Sequence, residues 1–281
     1  MQIPTFWARA SGEATSPLSK RLVLMAWGWS ATDQSEAAAS AKARLARMID
    51  RVASGESLPA RYTYGDRPIR EERLEDFSAS DGTLRFVVTR NRYGSLVLNA
   101  ARAMFIDIDL PAARPRSSFG ALFRKAAPDP AEPVLARVRD ALAALAPRAF
   151  RIYSTAAGFR VLAMDREHEA DTAETMEIMT AVGADPAYMQ LCRAQQSFRA
   201  RLTPKPWRCK LSTPPGVFPR EEPAVQEQFA RWVTDYDSAC RGHATCRFIE
   251  QVGAAASATS VAPVLALHDR LTLAASDLPL A

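Results

Sequence analysis

Long apolar runs are missing from this chain. Among its 281 residues no stretch of about 18 apolar side chains occurs, which excludes a conventional membrane-spanning helix. The opening residues Met1-Gln2-Ile3-Pro4-Thr5-Phe6-Trp7 carry neither the charged leader nor the apolar core of a signal peptide, so a cytoplasmic address is expected. Cysteine is scarce: four residues are too few for a disulfide scaffold, and Cys192, Cys209, Cys240 and Cys246 are expected to be reduced thiols. Histidine is scarcer still. His168 lies in the charged run 165–169 and is expected in solvent, and His268, next to Asp269, is expected on a helix surface. There is no glycine-rich P-loop, no G-x-S-x-G elbow, no H-E-x-x-H and no internal repeat, which removes several common enzyme classes.

What is present is a chain that is 48% apolar, long enough for one large domain or two smaller ones with real cores. Its net charge is +5 and its basic residues are mostly arginine. Arginine suits planar, bidentate contacts to phosphate or carboxylate, so the excess points toward a nucleotide or nucleic-acid partner. Composition alone is a weak pointer, because the chain is rich in alanine as well as arginine, a bias that GC-rich genomes impose without any binding role.

The periodicity predicts a strand over 22–29 and a helix over 34–53, which Ser30, Thr32 or Asp33 can cap. A short strand is expected over 61–64, and the charged stretch holding Arg70, Glu71, Glu72 and Arg73 is expected to be a solvated face. Runs 84–89, 95–99 and 103–110 read as an antiparallel meander with Gly94 in its first turn. The Pro-, Ala- and Arg-rich stretch between residues 110 and 133 reads as a long loop. An amphipathic helix over 134–145 follows, then a hairpin of strands 150–153 and 159–164. Helices over 170–182 and 186–194 and a strand over 198–202 complete the order β-α-β-β-α-β. An α+β fold is therefore expected, with an RRM-like or ferredoxin-like antiparallel sheet. The expected division is an N-terminal β-α unit over 1–83, the RRM-type core over 84–220 and a helical C-terminal segment over 221–281.

Three clusters carry candidate chemistry. In Met104-Phe105-Ile106-Asp107-Ile108-Asp109-Leu110 the strand period puts Asp107 and Asp109 on one face, about 6 to 7 Å apart along the strand, where they can share a divalent cation. The competing reading pairs each acid with an arginine. The turn Ser154-Thr155-Ala156-Ala157-Gly158-Phe159-Arg160 gathers hydroxyls, small residues and a guanidinium suited to phosphate. Arg193, Arg199, Arg201, Lys205 and Arg208 gather around the last strand, with Lys205 stiffened between Pro204 and Pro206; a charged edge strand is the plainer alternative. Cys240, His243 and Cys246, each three apart, depart from the usual C-x2-C zinc pairing even with Cys209 added, so no structural zinc is expected.

The order of an acidic hhhDhD strand, a helix, an S-x-x-G-x-R hairpin and an Arg-rich strand with a nearby lysine resembles the catalytic core of the archaeo-eukaryotic primase superfamily, including its primase-polymerase branch. The resemblance covers about residues 85–209. It implies that Asp107 and Asp109 bind Mg²⁺ or Mn²⁺, that Asp185 is the nearest counterpart of a third catalytic acid, and that Ser154, Gly158 and Arg160 hold phosphate; Thr155, Arg193, Arg199, Arg201 and Lys205 are expected to join them from the chemistry of their own clusters. Arg160 stands where the family commonly has histidine, which leaves room for an inactive or repurposed relative. The implied partners are a nucleoside triphosphate and a nucleic acid, the latter lying along Arg90, Arg92, Arg114, Arg116, Arg124 and Lys125.

Two other functions remain open beside metal-dependent nucleotidyl transfer: a non-catalytic nucleic-acid-binding or adaptor protein on the same sheet, and a metal-dependent phosphohydrolase using the D-x-D strand end. The last is disfavoured because Leu110-Pro111 follows the acids where Gly-Thr is usual.

Overall fold

The computed structural model describes residues 1, 3–58, 68–111, 130–253 and 256–281. The strand expected over 61–64 and the loop residues Arg114, Arg116, Arg124 and Lys125 lie outside them. In chain order the elements are β1 (Phe6–Thr15), β2 (Arg21–Ser30), α1 (Gln34–Ala53), β3 (Glu72–Ser78), β4 (Leu84–Arg90), β5 (Leu96–Ala100) and β6 (Phe105–Asp109). They continue with α2 (Ala131–Ala143), β7 (Phe150–Thr155), β8 (Gly158–Ala163), α3 (Ala173–Val182), α4 (Pro186–Gln195) and β9 (Phe198–Arg201). After a 3₁₀ turn (Pro206–Cys209) come α5 (Pro223–Cys240), β10 (Cys246–Val252) and α6 (Ala262–Thr272). Among these helices none is long and apolar enough to cross a membrane.

The fold is α+β, with three antiparallel sheets: β1-β2, β10-β7-β8-β6 and β3-β4-β5-β9. In the N-terminal unit Asp33 caps α1 by accepting the Glu36 N–H at 2.9 Å. The helix lays its buried Ala37 and Ala41 on β2, where a Cβ at Gly28 would meet the Ala41 nitrogen at 2.1 Å and the Ala37 oxygen at 2.3 Å. Only a glycine lets strand and helix backbones approach so closely. In the second sheet, β6 and β7 run the same way with α2 as crossover, and β8 lies between them, antiparallel to both. Helix α2 buries Val134, Leu135, Val138 and Leu142 as its stripe predicts.

Four expectations are corrected. The meander ends after two strands, because β6 leaves β5 to pair with β8, and the place beside β5 is taken by β9. The RRM-like sheet is therefore not closed: β9 lies alongside β6, but its ladder hydrogen bonds go to β5. Side chains bridge the seam instead. The Tyr188 hydroxyl sits 3.0 Å from the carbonyls of both Phe105 and Arg199 and accepts the Arg199 N–H at 3.3 Å, while Arg160 Nη1 donates to the Arg201 carbonyl at 2.9 Å. The C-terminal segment, finally, is not all helix: β10 forms an edge of the central sheet against β7. The expected boundary near residue 83 also falls inside the β3–β4 hairpin.

Gly28→Ala is expected to cost about 2 kcal/mol, because backbone rather than a yielding side chain opposes the new methyl. Chemical denaturation measures it, and unchanged stability would contradict the close β2–α1 approach.

Candidate functional site

Asp107 and Asp109 occupy alternate positions of β6, opposite Arg160 and Gly158 of β8, and so share one face of the sheet. Their environments diverge. Asp107 faces Arg160, whose side chain is only 3% exposed and which donates from Nε to Asp107 Oδ1 at 2.8 Å and from Nη2 to Oδ2 at 3.4 Å. Burial is the largest single influence and would lower the guanidinium pKa, but the charge and the hydrogen bond of Asp107, with smaller contributions beside them, together outweigh it and raise the value. The residue expected to grip phosphate is thus spent internally, and the plainer arginine-pair reading holds for Asp107.

Behind this pair runs a polar chain that sequence reasoning missed. Arg160 Nη1 lies 3.4 Å from His268 Nε2, and His268 Nδ1 lies 2.9 Å from Asp269 Oδ1. Because the guanidinium can only donate, Nε2 is the acceptor and Nδ1 carries the proton, which fixes a neutral imidazole. Asp269 also accepts from the Tyr153 hydroxyl and from Arg151, both at 2.8 Å. His268 is fully buried rather than on the helix surface, and burial pushes its pKa to about 4, against the opposing pull of Asp269. His168 is likewise buried instead of solvated, also at about 4, through burial and then Arg166. Cys246 Sγ lies 3.8 Å from His268 Nε2, which imitates a Cys-His-Asp nucleophile, but both side chains have no solvent exposure and burial raises the thiol pKa. No substrate reaches them.

Asp109 stands at the open end of β6 with no salt bridge among the described residues. Its pKa is raised by partial burial, then by the charges of Asp185 and Asp107. Asp185 is tied to the same strand: its N–H donates to the Asp107 carbonyl at 3.0 Å, and its Oδ1 caps α4 by accepting from Ala187 (2.7 Å) and Tyr188 (3.3 Å). The placement of the third acid near the pair follows from that cap, since Pro186 at the start of α4 fixes the turn.

Across the seam lie Arg201, Lys205 and Arg208, none with a salt-bridge partner among the described residues. Burial lowers the pKa of Arg201, and the charges of Arg160 and Arg208 lower it further, with Asp107 pulling the other way. Lys205 is lowered by burial, then by Arg201 and Arg208, with Asp109 and Asp107 pulling the other way. Mutual repulsion among cations, with acids a short way off, marks a site in which the protein leaves positive charge uncompensated.

The other predicted residues are dispersed. Arg199 shares the Arg201 face of β9 but donates to Glu71 at 2.7 Å and to Asn99, and Glu71 also accepts from Thr89 at 2.6 Å. Glu71, expected in solvent, is 5% exposed. Ser154 donates to the Arg247 carbonyl at 3.4 Å, and Thr155 accepts from the Ala157 N–H at the same distance. Gly158 is needed for a reason other than phosphate: a Cβ there would stand 2.0 Å from the Ile108 carbonyl oxygen. Arg193 is exposed at the end of α4, Arg90 donates to the Gly94 carbonyl at 3.0 Å, and Arg92 donates to the Tyr93 hydroxyl at 2.7 Å.

Cys240 lies by Cys209 and Cys246 by His268, so the spaced Cys-His-Cys run is split between two places. A cleft of about 460 Å³ lined by Phe77, Phe86, Arg85 and Pro263 lies away from these charges, and its one ionic group, Arg85, is paired with Glu167. No family model, curated protein or solved structure matches this chain.

The buried imidazoles give stability a definite pH dependence. A folded-state pKa depressed from near 6.5 to about 4 means that the unfolded chain alone takes up protons in that window, so stability is full above it and declines as pH falls through it. Scanning calorimetry from pH 7.5 to 4.5 is expected to show this decline, and His268→Gln to flatten it by about half, leaving the His168 share. An unchanged slope would contradict a neutral His268.

Proposed function

We propose that the protein binds the phosphates of a nucleotide at Arg201, Lys205 and Arg208, as a divergent relative of primase-polymerase-type nucleotidyltransferases. The observation that carries this reading is a trio of cations that make no salt bridge among the described residues, near the carboxylates of Asp109 and Asp185. Free guanidinium and ammonium groups held close against their own repulsion are what a polyphosphate would neutralise.

Among the described residues no three His, Cys, Asp or Glu side chains are grouped to hold a metal ion. The donors present fit a divalent cation shared with the ligand rather than one caged by protein. Mg²⁺ commonly takes one or two carboxylates and completes its shell with water and substrate phosphates. Asp109 is the donor most in need of a cation, since burial and then the neighbouring acids raise its pKa, and Asp185 keeps Oδ2 outside its helix cap. Mg²⁺ or Mn²⁺ there would offset charge on the phosphates. Arg201, Lys205 and Arg208 would orient the phosphates, and Asp107 would act indirectly, holding Arg160 and through it the Arg201 backbone.

One observation favours the binding reading over turnover: Arg160 occupies both oxygens of Asp107, the acid that a two-aspartate metal site would use. The same pair argues against a phosphohydrolase with Asp107 as nucleophile, because a carboxylate engaged by a guanidinium is a poor attacking group. The four free thiols agree with a reducing, cytoplasmic setting.

Isothermal titration with a nucleoside triphosphate, with and without Mn²⁺, tests the proposal. Arg201→Ala and Lys205→Ala are each expected to weaken binding about tenfold, the worth of one charge-assisted contact. Asp109→Asn is expected to abolish the gain from Mn²⁺ while metal-free binding persists. Wild-type protein that binds no triphosphate at millimolar concentration would sink the proposal; binding without primer extension would select the non-catalytic form.

A further inference from the structure

Trp207 is the one aromatic among the exposed large hydrophobic side chains of the described residues, at 48% relative exposure. An isolated exposed tryptophan needs no explanation, but this one is set in a rigid and basic frame. Tyr93 packs on it edge-on with ring centroids 5.3 Å apart, and the Lys205 ammonium lies 5.5 Å from its ring centre. Arg92 lies 4.6 Å from the Tyr93 ring centre and donates to its hydroxyl, and Arg208 follows Trp207 in the same 3₁₀ turn.

Both halves of the frame are held from below. The Pro204 carbonyl accepts from the Ser95 hydroxyl at 2.9 Å and from the Tyr236 hydroxyl at 2.6 Å, and Thr203 Oγ1 accepts the Leu96 N–H at 2.8 Å. The β4–β5 turn that presents Arg92 and Tyr93 rests on α5, where a Cβ at Gly94 would meet the Trp232 ring at 2.1 Å. Trp232 itself stacks on Tyr236 at 4.9 Å and donates from Nε1 to the Ser212 carbonyl at 3.1 Å. The segment preceding Trp207 is Thr203-Pro204-Lys205-Pro206, in which prolines on both sides of Lys205 restrict the backbone. Little order remains to be gained on binding, so a contact made here keeps most of its gross energy.

An aromatic face flanked by uncompensated cations matches an unpaired base joined to a phosphodiester backbone. We propose that Trp207 is a stacking platform for a base of single-stranded nucleic acid, with Lys205, Arg208 and Arg92 on the phosphates to either side. The inference rests on the phosphate reading of Arg201, Lys205 and Arg208 and extends it from a free nucleotide to a strand. An acidic peptide would satisfy the cations but would gain nothing from the indole, which makes the aromatic position decisive.

Fluorescence anisotropy of the full chain with a labelled 12-residue oligothymidylate, at several salt concentrations, tests it. Trp207→Ala is expected to weaken binding about tenfold with an unchanged salt slope, since stacking is lost and no charge is removed. Trp207→Phe should recover most of the affinity, which a general folding defect would not allow. Lys205→Gln should lower the salt slope by about one. A blunt duplex of the same length should bind more weakly and be indifferent to Trp207→Ala. Overturning results are Trp207→Ala binding the oligonucleotide as tightly as wild type, an equal loss on the duplex, or wild type binding no oligonucleotide. Triphosphate titration of the wild type separates the two readings: triphosphate binding with a Trp207-independent strand removes only the platform, whereas no triphosphate binding removes the phosphate site.

Discussion

A guanidinium buried at the junction of β6, β8, β9 and α6 is the constraint on which the rest of this site depends. Removing a charge of that size from water costs several kcal/mol unless each of its donors is met. Arg160 meets the cost with both oxygens of Asp107 and the carbonyl of Arg201, with the His268 ring nitrogen in reach. Each partner belongs to a different element, so one side chain ties the β10-β7-β8-β6 sheet to α6 and, with Tyr188, to the β3-β4-β5-β9 sheet. The choice has a consequence for chemistry. With Asp107 consumed, free charge moves outward to Asp109 and Asp185 on one side of the β6–β9 seam and to Arg201, Lys205 and Arg208 on the other.

Local periodicity carried most of the elements and none of the partnerships. The apolar stripe of α2 and the alternation in β6 were readable, because burial on one face leaves its period in the sequence. The shared face of Asp107 and Asp109 followed from the same period. Which strand β9 would join was not readable, since the Arg199–Glu71–Asn99 network that ties it to β5 is built from residues far apart in sequence. Strand β10 passed for helix because Phe248, Ile249 and Val252 are spaced as well for one helical face as for a strand. β1, with small and polar residues, gave no clear signal of either kind. His268 had a signal that was overlooked: it falls on the buried stripe of α6 with Val264, Leu267 and Thr272, and a histidine on such a stripe must have a polar partner inside.

The glycines make the same point about spacing. A small residue in a turn beside an arginine invites a phosphate reading from sequence, yet at Gly158 the backbone that needs the space is the neighbouring strand. Sequence shows that something must come close there. Only the fold shows what.

An unpaired trio of cations lowers stability by self-repulsion, and chains tolerate such conflict mainly where a ligand relieves it. The seam between β6 and β9 explains how the conflict is maintained. The ladder of β9 goes to β5, and among the described residues Arg201 makes no salt bridge with the acids of β6. Tyr188 and Arg160 take the place of a β6–β9 ladder, holding the strands near one another without pairing them. Asp109 and the cations thus feel one another's charge without a salt bridge between them among the described residues. A phosphate-bearing ligand accompanied by a divalent cation presents both signs at once, and so is complementary to both sides of the seam in a way that neither an anion nor a cation alone can be.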